Sequence, residues 1–156
     1  MKNYNILTIE DLREKIDKKA RLIGIDMGTK RIGISICDEN RSIATPYTTI
    51  QFSTLNKLIN EIKKIINENS IKAIIIGNPI NMDGSEGRSS QSVKDKAKLI
   101  SDNLKIPIAL WDERLSTVGS FNISSQLDIN ISKRIKNIDQ NSACFILQGA
   151  IDFLNN

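Results

Sequence analysis

LIGIDMGTKRIGISICD, residues 22–38, is the stretch whose reading decides the fold. It opens as a short apolar run ending in the carboxylate of Asp26 and passes through a turn containing Gly28. It returns as a second run that alternates apolar with small residues up to Cys37. That pattern predicts two strands joined by a tight turn. Asp26 falls where the first strand gives out, so its carboxylate would be presented at the sheet's edge beside the backbone N–H groups of Gly28 and Thr29. Such a place suits a metal ligand. It equally suits an Asp that stabilises the turn through its own backbone.

Working outward, residues 42–50 are rich in Thr and Ile and follow the turn residues Asp38, Glu39 and Asn40, which predicts a third strand antiparallel to the second. The period then changes. Leu55, Leu58, Ile59, Ile62, Ile65 and Ile66 recur at spacings of three and four, the mark of a helix that lays one face on the sheet. Ala73 to Ile76 is a continuous apolar run, which fits a strand buried on both faces and parallel to a neighbour. It is followed by a polar, glycine-containing loop over residues 80–90. Open α/β sheets place their ligands just past strand ends, so a movable loop over a site is expected there.

A second amphipathic helix carries Val93, Ala97, Ile100 and Leu104, and residues 106–111 form the fifth strand, ending in Asp112-Glu113-Arg114. A last helix from about Gln140 carries Ala143, Ile146, Leu147, Ala150, Ile151 and Leu154, with Asp139 at its N-terminus. Residues 119–138 read as a loop or broken helix. Upstream, Thr8 caps a short helix with Glu10 and Asp11 in its first turn and Leu12 and Ile16 at helical spacing, which predicts an appendage packed on an edge. The alternation of strands and helices predicts an α/β fold: a five-stranded mixed sheet, three antiparallel strands and then parallel ones, flanked by helices.

A chain of 156 residues, 40% apolar, can bury its core without disulfides or a structural metal. The absence of histidine excludes a Ser-His-Asp triad and His-ligated zinc. The two cysteines, Cys37 and Cys144, lie in apolar runs and read as reduced core residues. No run approaches the ~18 apolar residues of a membrane span, and a cytoplasmic location is expected. With 22 basic and 18 acidic side chains the net charge is +4, which permits a polyanionic partner. Aromatics make up only 4%, so contacts to a nucleic-acid backbone are expected over base stacking.

Carboxylates stand at three element ends: Asp26, the Asp112/Glu113 pair, and Asp139. Clustered carboxylates without imidazole suit Mg²⁺, which prefers oxygen ligands and keeps several waters. Side chains alternate faces along a strand, so only one of Asp112 and Glu113 can face a given site; Glu113 has the longer reach. Asp139 fits the helix N-cap equally well. Arg114 suits pairing with a carboxylate or a phosphate. Lys133, Arg134 and Lys136 form a basic run beside Asp139 that suits phosphate contacts, with Lys30, Arg31 and Arg88 as the other basic loop residues.

GIDMGTKRIGISICD, IIIGNPINMDGSEG, LWDERLST and DQNSACFILQGAIDFL, taken in order, resemble the successive motifs of the YqgF family, also called RuvX or Holliday-junction-resolvase-like. The resemblance covers about Leu22 to Leu154. It implies an RNase H-like nuclease domain over residues 21–156, with residues 1–20 as an N-terminal extension. It also implies a nuclease dependent on Mg²⁺ or Mn²⁺ that acts on precursor ribosomal RNA in 5′-end maturation of 16S rRNA. Asp26, Glu113 and Asp139 would be its catalytic and metal-binding acids. The alternatives are cleavage of branched DNA at Holliday junctions and a nucleic-acid-binding module without catalysis. Small departures from the family pattern fall at Cys37, Asn78 and Ser142. The run Asp26-Met27-Gly28-Thr29 also resembles the phosphate-binding turn of actin-like ATPases and sugar kinases, but those enclose ATP between two such domains and this chain is long enough for one.

Overall fold

In chain order the elements are β1 (Ile6–Leu7), α1 (Ile9–Lys15), β2 (Leu22–Met27), β3 (Arg31–Cys37), β4 (Ala44–Gln51), α2 (Leu55–Asn69), β5 (Ala73–Asn78), α3 (Arg88–Leu104), β6 (Ile108–Asp112) and α4 (Ile138–Leu154). They are seen in a computed structural model that describes residues 6–114 and 138–156. The strands form one mixed sheet in the order β1-β6-β5-β2-β3-β4. β2, β3 and β4 pair antiparallel, whereas β5 pairs parallel with both β2 and β6.

The period-2 alternation of the strands sends neighbouring side chains to opposite layers. Ile23 and Ile25 of β2, with Ile74 and Ile76 of β5, meet Leu58, Ile62, Val93, Ala97 and Ile100 from α2 and α3. Leu22, Ala73, Ile75 and Ala109 face the other way, onto Ile146, Leu147, Ala150 and Ile151 of α4. α4 approaches β2 so closely that a Cβ at Gly24 would stand 2.7 Å from Leu147 Cβ and 2.8 Å from the Ala143 carbonyl oxygen. Ser35 Oγ donates to that same carbonyl at 2.7 Å, which fixes the helix over the strands.

The sheet has six strands where five were expected. β1 is a two-residue strand that pairs parallel with β6, Ile6 beside Ile108 and Leu7 beside Ala109. Two residues carry no periodicity, so the pairing had no local signature. α1 follows as expected, with Thr8 Oγ1 accepting the Asp11 amide at 3.1 Å and Leu12 fully buried. α4 starts at Ile138, so Asp139 lies within its first turn. The reading of residues 119–138 falls almost wholly outside the described residues, as do Lys133, Arg134 and Lys136.

Candidate active site

Asp26 is the fifth residue of β2 and Glu113 directly follows β6, with β5 between them. Strands spaced about 4.8 Å apart put β2 and β6 roughly 10 Å apart, too far for two carboxyl groups to meet over an ordinary side chain. The residue between them is Gly77. The β2–β5 register pairs Ile25 with Ile76, and its next step sets Asp26 beside Gly77; across the other edge Gly77 pairs with Trp111. The Glu113 side chain lies directly over this glycine: a Cβ at position 77 would stand 2.6 Å from Glu113 Oε1 and 2.8 Å from its Cγ. The glycine thus opens a lane across β5 through which Glu113 reaches Asp26.

In that lane the protonated Glu113 carboxyl is hydrogen-bonded to Asp26. Its pKa is pushed up to about 7, first by burial, then by the Asp26 charge and that hydrogen bond, with a smaller contribution from Asp112. Asp112 itself is on the other face, in register with Asn78. There Arg114 engages it through Nε at 3.1 Å and Nη2 at 2.7 Å, and this pairing holds the Asp112 carboxyl below its ordinary range. The alternation of the strand therefore separates the two acids: Glu113 turns to Asp26, and Asp112 is neutralised by an arginine.

Arg114 also donates to the carbonyls of Asn81 and Met82, at 3.5 and 3.4 Å. The loop expected to be movable is tied at several further points. Gly84 N donates to Asn81 O at 2.8 Å, Ser85 N to Asp83 Oδ1 at 2.8 Å, and Ser90 Oγ to the buried Asn78 Oδ1 at 2.6 Å. Glu86 bonds both Asn78 and Lys94. Arg88 is the first residue of α3, and Lys30 and Arg31 flank the start of β3.

Asp139 lies one helical turn before Ala143, whose carbonyl sits over Ser35 and Gly24, and α4 runs from there toward the Leu22 end of β2. The backbone thus puts Asp139 at the helix end nearer Asp26; its side chain is outside the described residues. Among the described residues no group of three acidic, Cys or His side chains is gathered as a metal cluster. Two hard oxygen donors held close enough to share a proton are the donor chemistry that Mg²⁺ or Mn²⁺ takes. The pair fits such an ion, with Asp139 as the third ligand expected from the sequence. Cysteine offers no alternative nucleophile: burial pushes the Cys144 thiol up to about 12 and also raises that of Cys37.

Gly77 was missed in the sequence, where it reads as the end of a strand. The available signal was a glycine closing an otherwise branched apolar run, which marks close approach by another group.

The family described as "RuvX: Holliday junction resolvase" matches residues 20–153. The chain is 63% identical over 151 residues to a protein of Pelagibacter ubique named "Putative pre-16S rRNA nuclease", covering 97% of this chain and 100% of that one. It is 40% identical over 149 residues to a Rhizobium meliloti protein of the same name, covering 96% and 90%. Among solved structures it is similar to T. thermophilus RuvC in complex with a Holliday junction substrate, with a TM-score of 0.57, 10% identity, and 85% of this chain and 93% of that chain covered. The yeast mitochondrial Holliday junction resolvase aligns with a TM-score of 0.50 and 11% identity over 94% of this chain and 84% of its own. At these identities the likeness is one of fold, the RNase H-like arrangement.

Proposed function

Because the chain belongs to the RuvX family, we propose that it is a metal-dependent endonuclease that hydrolyses phosphodiester bonds during 5′-end maturation of 16S ribosomal RNA. The observation that carries this reading is the Asp26–Glu113 carboxyl pair, joined over Gly77 at the end of β2. The names of the close relatives supply the substrate class.

Asp26, Glu113 and Asp139 would hold Mg²⁺ or Mn²⁺, which when bound lowers the pKa of an attacking water and stabilises charge on the leaving oxygen. The protein's own residues prepare that site. Glu113, with its pKa near 7, is readily deprotonated at neutral pH and would then join Asp26 as a second carboxylate ligand. Arg114 pairs with Asp112 on the other face, so that carboxylate is neutralised outside the cluster. Partial burial of Glu113 excludes bulk water and strengthens each electrostatic contact. Lys30, Arg31 and Arg88, together with Lys133, Arg134 and Lys136, would hold the substrate's phosphates. Arg114, committed to Asp112, would act on the site by positioning. A ribosomal precursor as substrate is consistent with a cytoplasmic protein.

The family description favours a second reading, resolution of four-way DNA junctions. One assay separates the two. Precursor 16S RNA, a four-way DNA junction and single strands are offered to the same preparation with Mg²⁺, Mn²⁺ or Ca²⁺. Cleavage of the RNA precursor with Mg²⁺ or Mn²⁺, little with Ca²⁺, and loss of activity in Asp26→Asn are expected. Undiminished cleavage by Asp26→Asn would remove the assignment.

A further inference from the structure

A cleft of about 260 Å³ opens on the sheet face opposite the carboxyl pair, between the β2–β3 turn and the first turns of α3. Met27, Gly28 and Thr29 form one wall; Arg88, Ser89, Ser92 and Lys96 form the other. Residues 88, 92 and 96 are spaced by four, so α3 stacks a guanidinium, a hydroxyl and an ammonium along one stripe. Among the described residues no acidic side chain lines the cleft. Its larger neighbour, of about 410 Å³, has Glu10, Glu86 and Asp112 in its walls and is unsuited to an anion.

The cations of α3 differ in their engagement. Lys94 is neutralised by Glu86. Among the described residues neither Arg88 nor Lys96 pairs with a carboxylate, and the Lys96 ammonium rests 4.8 Å from the centroid of the Phe52 ring. Stacking on the ring orients that charge without cancelling it. The cleft also adjoins the active carboxylates along the chain, since Asp26 directly precedes its Met27-Gly28-Thr29 wall. The ridge between the two is the β2–β3 turn, which is tight at Gly28: a Cβ there would stand 2.2 Å from the Arg31 carbonyl oxygen, so only glycine fits.

Resting on the nuclease reading above, we infer that this cleft is a second phosphate subsite, in which Arg88, Lys96, Ser89 and Ser92 grip a backbone phosphate of the same strand whose neighbouring phosphate lies at Asp26 and Glu113. A strand crossing the Gly28 ridge would then be fixed at two points, one reactive and one purely binding. The recognised chemistry is the phosphodiester itself, common to RNA and DNA.

The test is metal-free binding of the full chain, by fluorescence anisotropy across a salt series, to a single-stranded RNA 12-mer and to a four-way DNA junction. The Arg88→Ala/Lys96→Ala variant is compared with Lys63→Ala/Lys64→Ala, which removes the same charge from the exposed face of α2. For the single strand, the cleft variant should flatten the slope of log K against log salt by about 1.4, at about 0.7 for each cation withdrawn from a phosphate. The α2 variant should leave it unchanged. A slope unchanged in the cleft variant with its circular dichroism intact, or equal flattening in both variants, overturns the subsite. An effect on only one of the two probes tells which nucleic acid the cleft accepts. Mg²⁺-dependent cleavage is scored separately. Cleavage that persists with cleft-independent binding removes the subsite and keeps the nuclease, whereas cleft-dependent binding without cleavage does the reverse. Failure to bind either probe removes both.

Discussion

The Asp26–Glu113 pair should make the metal-free protein less stable as the solution becomes neutral. The folded Glu113 holds its proton up to about pH 7, whereas in the unfolded chain it would lose it near the ordinary value of 4.5. Between those values the native state binds more protons than the unfolded state, so stability falls with rising pH. The contribution is fully present below pH 4.5 and is lost as pH rises through about 7. At about 1.36 kcal/mol per pH unit, the interval sets a ceiling of about 3 kcal/mol. Glu113 keeps partial contact with solvent, which screens the charge, so about 1–2 kcal/mol is expected. For a chain of this length that is a fall in Tm of roughly 2–8 °C. The assay is thermal denaturation in EDTA from pH 4 to 8 for the parent and for Glu113→Gln, with the difference between the two curves isolating this one group. Added Mg²⁺ at pH 7.5 should restore part of the lost stability in the parent and little in the variant. Parallel pH profiles in the two proteins would refute the reasoning.

Three other outcomes follow from the same geometry. Gly77→Ala should cost about 1–3 kcal/mol from crowding against Ile146 and Glu113, and should lower kcat/KM by about 100-fold, because Glu113 is pushed out of its lane; wild-type rates in single-turnover assays would mean that Glu113 need not cross there. Arg41→Ala should lose about 2 kcal/mol in urea denaturation, since the buried guanidinium donates to the Asp17 carbonyl at 2.9 Å and to Asn155 Oδ1 at 3.2 Å and so joins both ends of the chain to the β3–β4 turn. Replacing Lys133, Arg134 and Lys136 together by Ala should flatten the salt dependence of single-strand binding by about 0.7 for every phosphate that these side chains neutralise, with Tm unchanged; an unaltered slope would assign the phosphate contacts to the rim formed by Lys30, Arg31 and Arg88.

Local pattern carried most of the sheet. Branched residues at Ile23, Ile25, Ile32, Ile34 and Ile36 alternate with polar or small ones, and the switch to spacings of three and four at Leu55 marked α2, because both periods are set by backbone geometry alone. The acids Asp26 and Glu113 were legible for the same reason, as polar residues ending apolar strands. What joins them was not. The role of Gly77 depends on β2 and β6 lying on either side of β5 in one particular register, and register is a property of pairs of strands. The roles of Asp112 and Glu113 are likewise divided by register: Asp112 pairs with Asn78, and Glu113, one residue on, turns to the face of Gly77. β1 is too short to carry a period, and the part played by Arg41 depends on Asp17 and Asn155, residues far from it in sequence.

Asp26, Gly77 and Glu113 also explain why a protein would keep a pair of acids at the expense of its own stability. Two carboxyl groups across three strands would ordinarily be independent, each solvated and each with a modest affinity for a cation. Removing one side chain, at Gly77, lets Glu113 lean over β5 until it shares a proton with Asp26. The repulsion that this closeness creates in the metal-free state is present only while the cluster lacks a positive charge. On the metal-dependent reading proposed above, a cation that enters would be favoured by its own attraction and by release of that repulsion, and the release would be available only to the folded chain. Arg114 keeps the neighbouring Asp112 out of this interplay by pairing with it on the far face. The glycine lane thus brings Glu113 to Asp26, while the arginine clamp occupies Asp112 on the opposite side of the sheet.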